Sequence, residues 1–371
     1  MNNKIILNAR SISLSVFMGL LITQFNVSAQ NISDLSGEDM ESLGDDFYYG
    51  NNGKTEDYEK SLKWYQLAVD AGHKPALYDV GYAYGYGEGV EKDEEKAFEL
   101  FKQSAEFGDS DGQYELALAY DNGYGVEVDD VKAVHWYTLS AEQGDTEAQY
   151  NLGIMYDNGE GVEVDYAKSA YWYEQAAEQG YDKAQYAIGY AYDLAEGVEE
   201  DDKMAFYWYQ QAADQGHSRA QNNLAVMYAD GEGVRQDNKK AVFWYEKAVE
   251  QDNLLAYSNL GNMYCNGEGV KVDSEKALSM FQTAIDGDEP DAFSNLAYAY
   301  ETGSCVKKDL DKAIAWYRKG AALDDPYSLF SMGYAYQHGE GVRKDLDTAI
   351  EWYKKAVEQG SSLAAEALEE L

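Results

Sequence analysis

Residues 148–180 read AQYNLGIMYDNGEGVEVDYAKSAYWYEQAAEQG, and the same pattern recurs along the 371-residue chain at a fixed step of 36 residues. The tyrosine at 156 and the aspartate at 165 each occur in nine copies without a break in register. A fixed period of this length is the signature of a repeat array. The tryptophans all fall on one position of the repeat, as Trp64, Trp136, Trp172, Trp208, Trp244, Trp316 and Trp352.

The first half of the unit predicts a helix, helix A, over about 147–157. Ala148, Leu152 and Met155 are spaced i, i+4 and i+7, which places them on one helical stripe. Gly153 lies beside this stripe, and its counterparts in the following and preceding copies are only Gly or Ala. Because Gly costs about 1 kcal/mol inside a helix, this restriction predicts that a second helix crosses closely there.

The second half predicts helix B, which begins after Asp165. The carboxylate of Asp165 can accept from free backbone N–H groups of the first turn, a cap worth about 1 kcal/mol. Trp172 and Tyr173 are expected on the buried side, and Gly180 ends the helix in the left-handed conformation. Three later copies carry aspartate where this glycine belongs, namely Asp252, Asp288 and Asp324.

A single helical pair cannot bury its apolar side alone, so the copies must stack, and the sequence predicts an all-α solenoid. The first copy lacks the Leu-Gly signature in register and is interpreted as a cap. We divide the chain into a signal peptide (1–29), a short polar leader (30–39), a degenerate N-terminal capping repeat (40–72), eight tandem repeats (73–363) and a C-terminal capping helix (364–371).

The N-terminus has the pattern of a secretory signal. Lys4 and Arg10 precede an apolar run that stops at Val27-Ser28-Ala29, so we expect cleavage after Ala29 and export to the periplasm or the extracellular space. An uncleaved membrane anchor is the alternative, although the run is shorter than the ~20 apolar residues that span a bilayer. After cleavage no transmembrane segment is predicted.

The chain is strongly acidic, with 68 Asp and Glu against 29 Lys and Arg and a formal net charge of −39. Cleavage after Ala29 removes two basic residues and no acidic ones, so the mature charge is −39 − 2 = −41. Such a field repels nucleic acid and attracts basic segments of other proteins. The alternative is that the charge serves only to keep a surface-rich array soluble.

The two cysteines, Cys265 and Cys305, are placed by the repeat in corresponding loops of neighbouring copies, 40 residues apart. An exported chain can keep a disulfide. Stacked loops would make the bridge geometrically possible, and two free thiols are the alternative.

The pattern A-x-x-x-L-G-x-x-Y-x-x-G-x-G-V-x-x-D-x-x-K-A-x-x-W-Y-x-x-A-A-x-x-G, legible at 220–252, resembles the Sel-one-like repeat (SLR) family of tetratricopeptide-like proteins. The resemblance covers about 40–371. It implies a right-handed α/α superhelix with helix A on the concave side, and a non-catalytic role in assembling or tethering other proteins. Exported bacterial members look like envelope or host-interaction adaptors. The loops at Leu194-Ala195 and at Ser304-Cys305 depart from the pattern and are expected to differ locally.

Positions two and six after the first Ala of helix A point away from the core stripe, so a partner in the concave groove would meet them. Tyrosine suits protein or peptide recognition, and Asp121, Asp157, Asp193 and Glu301 are expected to add charge that selects a basic partner. The alternatives are that these tyrosines pack sideways against neighbouring A helices, or that they bind a peptidoglycan or glycan fragment. The predicted groove residues are Tyr78, Tyr82, Tyr114, Tyr150, Tyr186, Tyr190, Tyr298 and Tyr334.

A second row, formed by His135, Tyr171, Tyr207 and Phe243, recurs on helix B away from the Trp stripe and is a candidate outer interface.

We predict no catalytic residue, cofactor or metal site. The four histidines have no metal-ligand spacing, and the acidic loops lack the oxygen pattern of a calcium loop. Some relatives have been linked to β-lactam binding or hydrolysis, and Ser304 to Lys307 matches S-x-x-K. That motif lies in a loop, however, and neither S-D-N nor K-T-G occurs in the chain, so hydrolase activity is the weakest alternative.

Overall fold

The computed structural model describes residue 32 and residues 34–371, so the expected signal peptide lies outside the described residues. Within them the chain forms nineteen α-helices and no strands. The first seven are α1 (Gly37–Tyr48), α2 (Tyr58–Asp70), α3 (Leu77–Tyr86), α4 (Glu94–Phe107), α5 (Ser110–Asn122), α6 (Asp130–Glu142) and α7 (Thr146–Asn158). The others are α8 (Tyr166–Glu178), α9 (Asp182–Leu194), α10 (Asp202–Asp214), α11 (Ser218–Asp230), α12 (Asn238–Val249), α13 (Leu254–Asn266), α14 (Ser274–Asp286), α15 (Pro290–Thr302), α16 (Leu310–Ala321), α17 (Pro326–His338), α18 (Leu346–Glu358) and α19 (Ser362–Glu369).

The helices divide into two compact units, which are described separately. Unit one runs through Asp165 and contains α1–α7, and unit two begins at Tyr166 and contains α8–α19. Within each unit, every helix packs against the next one along the chain, so odd-numbered helices are the predicted A helices and even-numbered helices the B helices. The all-α solenoid is confirmed. In the part of the chain that is described, no helix has both the length and the apolar character to cross a membrane.

The loop between helix A and helix B is closed by a backbone hydrogen bond that repeats. The Asp165 N–H donates to the Tyr156 carbonyl over 2.9 Å, and seven other copies make the same bond over 2.8–3.1 Å. The predicted cap is confirmed as well, since Asp93 accepts from the Lys96 N–H over 3.0 Å and Asp273 from the Lys276 N–H over 3.0 Å. The repeated tyrosine and the repeated aspartate are therefore joined by a hydrogen bond that closes one loop.

The centre of each pair is the tyrosine that follows the Trp, not the Trp itself. Tyr137, Tyr209 and Tyr353 are each 0% exposed, whereas among the seven tryptophans only Trp64 and Trp208 are buried. The expectation that the Trp lies on the buried side of helix B together with the Tyr is therefore only partly right.

The predicted close crossing of two helices is confirmed at the Gly/Ala position of helix A. A Cβ added to Gly189 would lie 2.8 Å from the Tyr209 ring, and one added to Gly333 would lie 2.6 Å from the Tyr353 ring. The small residue therefore makes room for the buried aromatic ring of helix B.

The loop at Leu194-Ala195 keeps the conformation of its sister loops, so the expected local difference is wrong there. Ala195 has a φ of 58°, in the left-handed region, where Gly159 and Gly231 have 76° and 83°. The Glu196 N–H still donates to the Ala191 carbonyl, as the Glu232 N–H does to that of Met227. An L-residue with a Cβ pays about 1 kcal/mol for this conformation.

We therefore expect Ala195→Gly to raise the free energy of unfolding by about 1 kcal/mol, because it removes backbone strain without touching a packed side chain. The measurement is the urea midpoint of the chain followed by circular dichroism. The reverse change in the sister loop, Gly231→Ala, is the matched control and should lower stability by about the same amount. A drop in stability for Ala195→Gly would contradict the strain.

Candidate functional site

The predicted groove tyrosines of unit one lie on α3, α5 and α7, and those on α3 form a row of adjacent rings with Tyr86. The rings of Tyr78 and Tyr82 lie 5.9 Å apart, and those of Tyr82 and Tyr86 lie 4.3 Å apart. Tyr78, Tyr82, Tyr114 and Tyr150 are half-buried, while Tyr86 is 54% exposed. We call Tyr78, Tyr82, Tyr86, Tyr114 and Tyr150 the tyrosine face of unit one.

Two of these tyrosines also pack against aromatic residues of the B helices. The Tyr78 ring lies 6.3 Å from Phe101 on α4, and the Tyr114 ring lies 6.0 Å from Tyr137 on α6. Burial raises the pKa of Tyr78 and Tyr114 and keeps both hydroxyls neutral. In these contacts the rings pack on helix B and not sideways on a neighbouring helix A, and the groove assignment stays a prediction.

In unit two the corresponding tyrosines are arranged differently. The Tyr186 ring is stacked on His217 with ring centroids 4.7 Å apart. Burial raises the pKa of Tyr186, and the nearby Arg219 guanidinium opposes this rise. Tyr190, Tyr298 and Tyr334 are 39%, 47% and 40% exposed. The unit-two surface thus carries its own cationic and imidazole groups beside its first tyrosine.

Three of the carboxylates that were expected to charge the groove have a structural role instead. Each accepts a hydrogen bond from the buried tyrosine sixteen residues later on helix B. Asp121 accepts from Tyr137 over 3.1 Å, Asp193 from Tyr209 over 2.9 Å, and Glu301 from Tyr317 over 2.6 Å. A buried hydroxyl needs such a partner, so these acids belong to the fold.

Two carboxylates that sequence reasoning missed lie on the tyrosine face. Asp79 follows Tyr78, and Glu115, which is buried, follows Tyr114 and accepts from the Tyr86 hydroxyl over 3.3 Å. Comparison of the copies distinguishes these two acids, because the same repeat position is uncharged in all later copies. The later residues are Asn151, Ala187, Asn223, Asn259, Asn295 and Ser331.

Burial dominates the electrostatics of both carboxylates. It raises the pKa of Asp79 to about 7, helped by the negative charges of Glu41, Asp45 and Asp109. It likewise raises the pKa of Glu115 to about 7, and the hydrogen bond from Tyr86 opposes the shift. Burial therefore makes the ionised form of each carboxylate costly in the folded chain.

Asp79 opens into a pocket of about 180 Å³ between α1, α2 and α3. We call it the Asp79 pocket. Its other carboxylate is Glu88, from the loop after α3, and one oxygen of Glu88 is buried without a hydrogen-bond partner. Its lining residues are Tyr48, Tyr49, Tyr58, Ser61, Leu62, Tyr65, Tyr78, Asp79, Tyr82, Ala83 and Glu88.

A second pocket of about 280 Å³ lies beside Glu115 and Tyr86. It exists because this pair departs from the repeat, with Phe101 in place of the buried tyrosine and Gly85 in place of its acceptor. Lys92 lines this pocket, whereas none of the described residues that line the Asp79 pocket is Lys or Arg.

Cys265 and Cys305 are joined by a disulfide in unit two, with their Cα atoms 4.9 Å apart. Cys265 lies in the last turn of α13 rather than in a loop, and Cys305 lies in the loop after α15. Cys265 takes the position of the tyrosine acceptor, and Phe281 takes that of the tyrosine. Ser304, the serine of the S-x-x-K match, has its Oγ 3.3 Å from the Cys265 sulfur, so it is part of this structural cluster.

The outer row is exposed and stacks edge-on against the tryptophans. Within unit two, Tyr171, Tyr207 and Phe243 are 51%, 48% and 50% exposed, and the Tyr207 ring lies 4.8 Å from Trp208. Its role as an interface stays a prediction.

The family model described as Sel1 repeat matches nine consecutive segments that together span 40–361. A protective antigen present in uropathogenic Escherichia coli strains, whose structure displays an SLR fold, is 31% identical over 90% of this chain and 79% of that chain, with a TM-score of 0.70. A Sel1 repeat protein from Oxalobacter formigenes is 31% identical over 83% of this chain and 89% of that chain, with a TM-score of 0.57. No curated protein matches the chain. The resemblance drawn from the repeat pattern is confirmed.

Because the pKa of Asp79 is raised in the folded chain, the acid contributes to stability below its ordinary pKa of ~3.9, and this contribution is lost as pH rises toward 7. We therefore expect Asp79→Asn to stabilise the chain by about 1 to 3 kcal/mol more at pH 8 than at pH 5. Urea unfolding at the two pH values measures the difference.

The control is Asp311→Asn, which removes an exposed carboxylate from the first turn of α16. It should change stability by similar, small amounts at both pH values. Equal effects of Asp79→Asn at the two pH values would contradict the burial cost.

Proposed function

Since the chain belongs to the Sel1 repeat family, we propose that it is a non-catalytic scaffold that binds a segment of another protein through the tyrosine face of unit one. Solenoids of this family are typical protein–protein interaction scaffolds. Stacked repeats provide an extended surface whose composition can vary without disturbing the core.

The proposed class of partner follows from the charge of the odd-numbered helices of unit one. Helices α1, α3, α5 and α7 contain eleven Asp and Glu residues and no Lys or Arg. Asp121 is a tyrosine acceptor and Asp46 is paired with Lys54, and the remaining carboxylates leave these helices with a net negative charge. A peptide with Lys or Arg residues would match this surface in charge, and tyrosine rings would supply contact area.

Unit two is less suited to the same ligand. Its odd-numbered helices include Lys183 and Arg219, and His217 already covers Tyr186. Further along the unit, the equivalent positions hold Asn and Ser, which bond across repeats: Asn259 donates to Asn222 over 3.2 Å and Asn295 to Ser258 over 2.8 Å. We therefore assign the basic segment to unit one.

We also propose that the protein works outside the cytoplasm, in the periplasm or the extracellular space. The signal pattern that ends at Ala29 supports this location. The Cys265–Cys305 disulfide supports it independently, because such bonds persist in oxidising compartments.

A Lys- and Arg-containing peptide should bind the mature chain, and the same peptide with Gln at every basic position should bind at least about tenfold more weakly, because Coulomb attraction to the carboxylates is lost. Isothermal titration at two salt concentrations measures both, and higher salt should weaken only the basic peptide. Equal binding of the two peptides would contradict the proposal.

The site is tested by a double variant, Asp111→Asn with Glu147→Gln, which neutralises two exposed first-turn acids of α5 and α7. It should weaken the basic peptide several-fold. The matched control is Glu275→Gln with Asp311→Asn, which neutralises two exposed first-turn acids of even-numbered helices in unit two. A loss as large in the control would mean that net charge alone attracts the peptide.

If export is correct, the protein isolated from a bacterial envelope fraction should begin at Gln30, since cleavage follows Ala29. Intact-mass spectrometry reads this directly. A chain that keeps residues 1–29 and sediments with the membrane would establish the anchor instead.

A further inference from the structure

We infer that the Asp79 pocket binds a single organic cation, the ammonium or guanidinium group at the end of a partner's Lys or Arg side chain. This inference rests on the proposed function and deepens it, because it names the position where one basic residue of the bound segment is held.

The walls of the pocket are tyrosine rings from three helices. Tyr48 ends α1, Tyr58 begins α2, and Tyr78 and Tyr82 lie on α3. The Tyr48 and Tyr58 rings meet edge-on with centroids 5.2 Å apart, and those of Tyr78 and Tyr82 are 5.9 Å apart. The π-faces of such rings attract a cation within about 6 Å.

The chain already makes this kind of contact elsewhere with its own lysines. The Lys96 ammonium lies 3.7 Å from the centre of the Tyr84 ring, and that of Lys276 lies 4.0 Å from the Tyr264 ring. The Asp79 pocket offers comparable rings, but its described lining residues include no Lys or Arg.

The acidic part of the pocket comes from Asp79 and Glu88. Burial disfavours the charge of Asp79, and one oxygen of Glu88 is enclosed with no hydrogen-bond partner among the described residues. An unpaired buried carboxylate oxygen is costly, and a cation bound in the pocket would offset this cost. The pocket therefore combines tyrosine rings with two carboxylates, the groups that bind an organic cation.

The repeat fold does not require a carboxylate at the position of Asp79. Six later copies have uncharged residues at this position, and Asn151 shows what the fold does with it, since its amide donates to the Tyr137 hydroxyl over 3.3 Å. In the first pair the buried Tyr65 hydroxyl already donates to Asp45 over 2.8 Å. A carboxylate that is costly and structurally dispensable, placed among aromatic rings, is typical of a binding residue.

The size of the pocket limits what it can hold. Its volume of about 180 Å³ is below the ~300 Å³ at which sites for whole small molecules begin. One extended side chain fits this volume, whereas a folded segment does not.

The direct test uses single capped amino acids with the full mature chain. Nα-acetyl-lysine methylamide and Nα-acetyl-arginine methylamide should each shift the tyrosine ring resonances of the pocket in a saturable way. The uncharged norleucine and citrulline analogues, which match them in length, should bind at least about tenfold more weakly. The stronger of the two cationic probes tells whether the site prefers ammonium or guanidinium.

Asp79→Asn should weaken the cationic probes at least about tenfold, and Tyr82→Leu should weaken them several-fold. Leucine is the residue that the next repeat carries at the latter position, as Leu118. Glu115→Gln is the matched control, because it neutralises a carboxylate at the same repeat position that lines the neighbouring pocket instead. It should change the affinity less than twofold.

Affinity should also rise between pH 6 and pH 8, since the cation binds the ionised form of Asp79. The groups around Asp79 that can influence this titration are Glu41, Asp45, Asp109 and Glu88, with His73 held 2.9 Å from Glu41. A control titration of Asp79→Asn should lose the pH dependence.

Equal binding of norleucine and lysine probes, or unchanged binding by Asp79→Asn, would overturn the inference. If the long basic peptide still binds Asp79→Asn with wild-type affinity, the pocket is not a cation site while the scaffold function stands. If neither the peptide nor the probes bind the wild-type chain, the proposed function fails as well.

Discussion

The interaction on which the array depends is a buried tyrosine of one helix set against a glycine or alanine of the other. The ring needs the space that a larger side chain would fill, and its hydroxyl needs an acceptor in the interior. Tyr209 has both, with Gly189 under the ring and Asp193 accepting a hydrogen bond from its hydroxyl. The two requirements lie on the same helix four residues apart, so a single helix A satisfies them together.

This constraint explains where the chain departs from its own repeat. Phe101 and Phe281 have no hydroxyl, and the positions that would hold an acceptor are free to change to Gly85 and Cys265. With Gly85 and Phe101 there is a pocket beside Glu115, and Cys265 forms a disulfide. These two exceptions in the sequence are thus paired, whereas Tyr245 keeps its hydroxyl although Ala229 stands at its acceptor position.

The period of 36 residues was enough to predict the helices, the aspartate caps and the small residue at the crossing, because all of these depend on spacing within one copy. It was not enough to assign the acceptors or the Asp79 pocket. Asp121 was assigned to the surface because the helical wheel gives a direction but not the reach of a tyrosine on another helix. The Asp79 pocket arises where the first three helices meet, so it requires three-dimensional contacts between copies. Comparison of repeat positions would have exposed Asp79, since a charge there is confined to two copies.

The disulfide has a consequence for how the array comes apart. In a linear stack each repeat contacts only its neighbours, so the array can open one repeat after another. The Cys265–Cys305 bond joins the end of α13 to the loop after α15, across one such boundary. Fraying that starts at α19 and moves toward lower residue numbers meets a covalent stop at this boundary, since α13 and the loop cannot separate. Unit one, where the described residues contain no disulfide, has only its packing to resist opening. A mechanical force applied at α19 would therefore unfold only the helices after Cys305, α16–α19. A force applied at α1 would meet no covalent barrier within unit one.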